Sequence, residues 1–187
     1  MFIQTESTPN PATLKFLPGQ QVLETGTMDF PAEEAAAQSP LATRIFSLDG
    51  VAGVFFGQDF ITVTKAEEAE WDHIRPAILG AIMDHFQSGD PVMMPDHAMA
   101  PAHAEHSGPD SDVVEQIKDL LDTRVRPAVA QDGGDITFQS YDGGVVYLHM
   151  QGACAGCPSS MLTLKMGIEN LLRHYIPEVS EVRPVAP

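Results

Sequence analysis

Val145-Val146-Tyr147-Leu148-His149-Met150-Gln151-Gly152-Ala153-Cys154-Ala155-Gly156-Cys157-Pro158-Ser159-Ser160 is the stretch on which the reading turns. A β-rich run drives straight at a Cys-x-x-Cys pair. Pro158 then suits the first turn of a helix, where its missing N–H costs nothing. The stretch holds the only 2 cysteines of the 187 residues. Such a pair chelates a metal, cycles between dithiol and disulfide, or is inert, and spacing alone does not choose.

Upstream of this run, Ile136 to Tyr141 is a second β-rich segment, joined to it through Asp142-Gly143-Gly144, a strong hairpin signal. Before that, Asp132-Gly133-Gly134-Asp135 marks a turn. Val113, Ile117, Leu120, Leu121 and Val125 form one apolar helical face, opened by Asp112 with Glu115 three residues on as a capping box. Pro127 is expected to kink or end that helix. Past the cysteines, Met161, Leu164, Ile168, Leu171, Leu172 and Tyr175 repeat along one face to Ile176. Pro177 stops the helix, and Val179 to Arg183 reads as a third strand. Residues 111–187 therefore predict a small α+β domain of order α-β-β-α-β.

Residues 1–87 predict a second small α+β domain. Phe2 to Gln4 and Thr13 to Leu17 read as strands separated by Thr8-Pro9-Asn10-Pro11. Pro40 to Phe46 reads as a short helix, and Val51 to Phe56 with Phe60 to Thr64 as a hairpin. Trp71, Ile74, Ile78, Ile82 and Phe86 recur at helical spacing, with Pro76 requiring a kink or a later start. These apolar positions are read as core. Between the domains, residues 88–110 carry four prolines, several alanines and no basic residue, which predicts a flexible linker. A flexible chain of that length spans roughly 25 Å. Its Met93, Met94, His97, Met99, His103 and His106 are too loosely spaced for a copper or zinc site, and that reading is rejected.

The net charge is −16, and every part contributes: 4 basic against 12 acidic residues in 1–87, none against 4 in 88–110, and 6 against 10 in 111–187. Such a chain repels phosphate backbones and anionic membrane surfaces, so neither nucleic acid nor a membrane is an expected partner. No run approaches the ~18 apolar residues of a membrane span. Met1-Phe2-Ile3-Gln4-Thr5-Glu6 has neither a secretory core nor an Arg-rich transit pattern, which places the chain in the cytoplasm. In a reducing compartment, two close cysteines are metal ligands or redox groups rather than a structural disulfide.

A helix start beside Cys154 and Cys157 favours thiolate over thiol, and Gly152 and Gly156 let backbone N–H groups turn towards sulfur. Both effects suit a metal–thiolate centre and a redox dithiol alike. The count of ligands discriminates. A [4Fe–4S] cluster takes four thiolates, the chain has two, and two chains meeting at this loop supply four. Zinc accepts the same four thiolates. A Cys₂His₂ site with His149 lacks a matching spacing. The redox reading meets a preceding antiparallel hairpin instead of the βαβ setting of thioredoxin-like motifs. The residues rank cluster, redox and zinc in that order.

Val125-Arg126-Pro127-Ala128-Val129-Ala130-Gln131-Asp132-Gly133-Gly134-Asp135-Ile136, then Leu148 to Ser160, then Thr163-Leu164-Lys165-Met166-Gly167-Ile168-Glu169, closely resemble the C-terminal domain of NifU and of Nfu-type iron–sulfur scaffold and carrier proteins. Residues 1–6 and Thr8-Pro9-Asn10-Pro11-Ala12-Thr13-Leu14-Lys15-Phe16-Leu17-Pro18-Gly19 resemble the N-terminal domain of two-domain members. The resemblance implies a non-enzymatic carrier: a [4Fe–4S] cluster shared between two chains and held by Cys154 and Cys157 of each. Upstream assembly proteins would be its donors, apo iron–sulfur proteins its recipients, and the cluster-bound form a homodimer. With no transit pattern, the expectation is a bacterial cytoplasmic member.

Overall fold

The computed structural model describes residues 1–95, 103–156 and 158–185. The chain divides into two compact units, Met1–Ala100 and Pro101–Pro187. Both are α+β, as the sequence predicts.

Unit 1 is a five-stranded antiparallel sheet of order β1-β2-β5-β4-β3, built from β1 (Gln4–Ser7), β2 (Thr13–Leu17), β3 (Met28–Phe30), β4 (Val51–Phe56) and β5 (Ile61–Lys65). Alternation sends one set of side chains inward. The register sets Phe16 and Phe56 against Ile61, and Phe30 against Val54. Helices α1 (Pro40–Phe46) and α2 (Trp71–Ser88) supply Leu41, Ile45, Ile74, Ile78 and Ile82 to the same core. Ser39 caps α1, its hydroxyl accepting from Ala42 N–H at 3.0 Å, with Pro40 at the first turn. Pro76 lies inside α2 and neither ends it nor delays it, because so close to the N-terminus it forgoes a single backbone bond. The opening strand starts at Gln4, later than Phe2. β3 and a 3₁₀ turn over Glu33–Gln38 carry no apolar period, and the sequence reading passed over both.

In unit 2, helix α3 (Ser111–Leu120) runs into a π-helical turn (Leu121–Val125) and then α4 (Arg126–Gln131). Pro127 explains the π turn. It cannot donate to the preceding turn, and the register slips so that Arg126 N–H donates to Leu121 O, five residues back. The helix is thus neither ended nor simply kinked. The Asp112 capping box does not form: the N-cap is Asp110, with no side-chain cap. Strands β6 (Gly134–Asp142) and β7 (Val145–Gly152) make the expected hairpin, with Gly143 and Gly144 both at positive φ. Helix α5 (Pro158–Tyr175) crosses back so that β8 (Glu181–Val185) lies parallel to β7. Val114, Ile117, Leu121, Val125 and Val129 from one side meet Ile168, Leu172 and Ile176 from the other, over Ile136, Phe138, Leu148 and Val182 of the sheet.

The described ends of the 88–110 stretch attach to the units. Ser39 Oγ donates to Val92 O at 2.5 Å and Met94 N–H to Gln38 O at 2.9 Å, with Val92 and Met93 against the unit 1 core. At the other end, Ala104 N–H donates to Phe138 O at 2.8 Å on the open edge of β6. His97 and Met99 of the histidine–methionine set lie outside the described residues.

Candidate metal centre

Strand β7 ends at Gly152, whose φ of 62° turns the chain across the end of the sheet. The loop then closes on itself and on the turn before β6. Ala153 N–H donates to Gly133 O at 3.1 Å, Cys154 N–H to Gln151 O at 3.3 Å, and Ala155 N–H to Gly152 O at 3.1 Å. Cys154 is folded inward, 6% exposed, its sulfur in the unit 2 core cluster. Gly134 is its floor: a Cβ there would lie 2.5 Å from Cys154 Sγ and 2.7 Å from Gln151 O. The Asp132-Gly133-Gly134-Asp135 motif, legible in sequence only as a turn, therefore exists to let the thiol sit down.

That seat reverses one expectation. Burial, with the Asp132 and Asp135 carboxylates close by, pushes the Cys154 thiol up to about 12. Cys154 stands four residues before Pro158, and the positive field of a helix N-terminus fades within about one turn. Among the described residues Cys154 is a buried, reduced thiol. Cys157, the other predicted ligand, directly precedes Pro158 and lies outside the described residues.

Beside the loop runs a chain of charged contacts that the sequence reading missed. Arg126 grips Asp135 with both ends of its fork, Nε to Oδ1 and Nη2 to Oδ2, each at 2.8 Å. Its Nη1 reaches Asp122 at 2.8 Å, and His103 Nε2 meets the same Asp122 oxygen at 2.9 Å. His103 Nδ1 accepts from Phe138 N–H at 2.8 Å, which leaves the ring proton on Nε2, facing Asp122. Asp135 is itself buried and braces the β6 start, accepting from Ile136 N–H at 2.8 Å. The bond to Asp135 raises Arg126 above the ordinary guanidinium range, more than burial lowers it. Burial works to raise Asp122, but hydrogen bonds from Arg126 and His103 outweigh it and hold that carboxyl below its usual range. The i, i+4 spacing of Asp122 and Arg126 is visible in sequence. The pairing of Arg126 with Asp135 across a turn, and the recruitment of His103 from the linker, are not.

Among the described residues no three His, Cys, Asp or Glu side chains converge as a metal site. His149 faces Thr137 across the hairpin, half-buried, its Nε2 shut from solvent and without a partner. It is not brought into a ligand set with Cys154. Met93 and His103 of the linker are spent on packing and on the Asp122 contact respectively. From its own described residues, then, the loop offers one soft sulfur ligand on a rigid seat, with the second cysteine of the pair three residues on in sequence. Such soft sulfur donors are of the kind that iron–sulfur clusters and thiolate-bound metals take.

Two small α+β units, one of them seating a cysteine loop between a hairpin and a helix, define the class of protein by fold and site: a two-domain α+β chain with one Cys-x-x-Cys loop. A family model described as the scaffold protein Nfu/NifU N-terminal domain matches residues 3–89, and one described as the NifU-like domain matches residues 117–183. The chain belongs to the Nfu/NifU family of scaffold proteins. It is 53% identical over 184 residues to "NifU-like protein 4, mitochondrial" of Arabidopsis thaliana, covering 97% of this chain and 65% of that protein. It is also 53% identical over 186 residues to "NFU1 iron-sulfur cluster scaffold homolog, mitochondrial" of Homo sapiens, covering 99% of this chain and 72% of that one. A solution structure of a NifU-like protein from Saccharomyces cerevisiae aligns over 51% of this chain and 87% of that chain, at 28% identity and a TM-score of 0.46. The cytoplasmic expectation is corrected by these relatives, which are named mitochondrial. It rested on the first six residues alone, and they do not decide the compartment.

Proposed function

We propose that the chain carries a [4Fe–4S] cluster held by Cys154 and Cys157 from each of two copies, received from upstream assembly proteins and passed to apo iron–sulfur proteins. The cluster is cargo, so no residue is catalytic. One observation carries the reading: Cys154 sits on a preorganised loop whose chain supplies two thiols and, among the described residues, no third ligand nearby. Four thiolates are reached by a second copy. The names of the relatives, iron–sulfur scaffolds among them, support the same role. A thiol–disulfide oxidoreductase is less well served, because it needs an accessible thiol and Cys154 is folded inward.

Anaerobic reconstitution with iron and sulfide tests this. About four irons per two chains, a brown colour, and loss of both in Cys154→Ala or Cys157→Ala are expected. A colourless monomer with a reversible Cys154–Cys157 disulfide would overturn it. In the same reading, residues 1–87 select recipients, 88–110 join them to residues 111–187, and the last hold the cluster. Removing 1–87 then leaves cluster binding intact and slows transfer to particular targets. Unchanged transfer to every target tested would remove that role.

A further inference from the structure

Helix α5, which follows Cys157 directly, has three longitudinal faces. Ile168 and Leu172 are buried, with Met161, Leu164 and Leu171 packed beside them. A second face carries charges that are spent within the chain: Lys165 pairs with Glu181 at 3.8 Å, and Glu169 with Arg173 at 3.8 Å while also accepting from Val182 N–H at 3.1 Å. Over about its first three turns the third face is uncharged and exposed, with Leu162, Thr163, Met166, Gly167 and Asn170; in the last turn Arg173, paired with Glu169, and His174 follow on the same side. Leu162 is 59% exposed and Met166 56%, and at i, i+4 spacing they form one apolar ridge. Gly167 adds a second oddity. It lies inside the helix, its φ is not positive, and a Cβ on it would meet nothing within 4 Å. A helix-interior glycine costs roughly 0.5–1 kcal/mol against alanine, and no close contact among the described residues requires it.

We infer that this face of α5 is the seam on which a second copy of the chain docks to complete the cluster site. The inference rests on the cluster-sharing reading above and says where the two copies meet. Three things on the molecule select a second copy. The ligand set beside the face is half complete, so whatever fills it must bring thiolates to the start of this helix. Two chains of net charge −16 repel, and they approach best where neither presents an unpaired carboxylate, as on this face, where Glu169 at its border is paired with Arg173. Gly167, between Met166 and the rest of the stripe, lets another backbone come close where a side chain would hold it off. A two-fold contact is self-complementary, so one neutral, ridged face serves both sides.

The test is the full-length pair Leu162→Glu and Met166→Glu in one chain, reconstituted anaerobically with iron and sulfide beside the parent. Mass in solution and iron per chain are read on both. Both side chains are exposed in the single chain, so circular dichroism and the melting temperature of the apo-protein should stay unchanged. Should the doubly charged variant melt early, Leu162→Gln with Met166→Gln replaces it. The expected result is a parent that is dimeric with cluster and a variant whose cluster-bound dimer falls at least tenfold. A variant that loads and dimerises like the parent overturns the seam. So does one that loads normally and loses only delivery to an apo-acceptor, since the face would then serve the recipient. A parent that takes up no cluster overturns the cluster reading itself, a different failure from either.

Discussion

At the centre of the unit 1 core are rings and branched aliphatics: Phe30 meets Phe56 edge-on at 5.0 Å, with Phe16, Ile61, Ile78 and Ile82 fully enclosed around them. Its buried polar groups, Lys15, Ser39 and His85 among them, are exceptions to that pattern. In unit 2 the same design, helices over one face of a sheet, encloses a thiol, an Arg–Asp pair and a π turn, and leaves Leu162 and Met166 outside. Of these, the thiol, its Gly134 floor and the exposed pair on α5 lie at or beside the cysteine loop, and the π turn leads into Arg126, whose partner Asp135 follows that floor in sequence. Proteins depart from local rules at working sites and make up the stability elsewhere. The difference is what the proposed binding role of unit 2 would lead one to expect, with unit 1 a body whose core holds its own shape.

The hardest test of that division is to break unit 1 alone. Phe56→Ala removes a fully buried ring from the middle of its sheet and should cost about 3–5 kcal/mol. Denaturant unfolding should show unit 1 lost early, while iron uptake on reconstitution stays within twofold of the parent. Loss of iron uptake together with unit 1 would dissolve the division. The matching change in unit 2 is Arg126→Leu, which leaves the buried Asp135 carboxylate without its guanidinium and should cost about 3 kcal/mol. Here the effect should reach the site. With its neighbour Asp135 unbraced, the Cys154 loop opens more often, and disulfide-reagent attack on Cys154 quickens at least tenfold. Arg126→Lys keeps the charge, loses the fork, and should fall between. Equal thiol reactivity in all three would mean that the ion pair holds the helix and not the loop.

What the sequence made legible follows the same division. The hairpins, the apolar stripes of α2, α3 and α5, and the order α-β-β-α-β were readable because each is written in a local period or a turn dipeptide. The π turn was not, since Pro127 announces a disturbance without saying whether the helix ends or slips. Cys154 and Cys157 stood out as the candidate site because they are the only two cysteines of the chain. The seat was hidden, because Gly134 touches Cys154 from another strand and Arg126 reaches Asp135 across a turn. His103 shows the limit best. In a proline- and alanine-rich stretch nothing marks one histidine as the cap of an edge strand.

Protonation separates the units more gently. His85 is fully enclosed in α2, with both ring nitrogens unpartnered. Burial first, and the Arg44 charge second, hold it below the ordinary histidine range against the opposing pull of Asp90. The folded chain therefore binds fewer protons there than the unfolded chain does. The stability involved is complete above about pH 6.5 and is lost as pH falls through the folded value, at no more than about 1.4 kcal/mol per pH unit. Melting temperatures from pH 8 to pH 5 should fall in the parent and fall less in His85→Leu. Parallel curves would show that His85 takes up its proton equally in the folded and unfolded chains and that unit 1 carries no acid-sensitive point here.

The smallest effect is the sharpest, because its sign differs between two states of one helix. Gly167→Ala puts a methyl into open space on an interior turn of α5, so the apo-protein should gain about 0.5–1 kcal/mol. If the glycine is there for the approach of a second copy, the same methyl should speed loss of iron from the loaded form. Apo melting temperature up and cluster lifetime down is thus the signature of a residue kept for a partner. Both up would make Gly167 a position that natural sequences simply leave below their stability optimum, and the seam would then have to stand on Leu162 and Met166 alone.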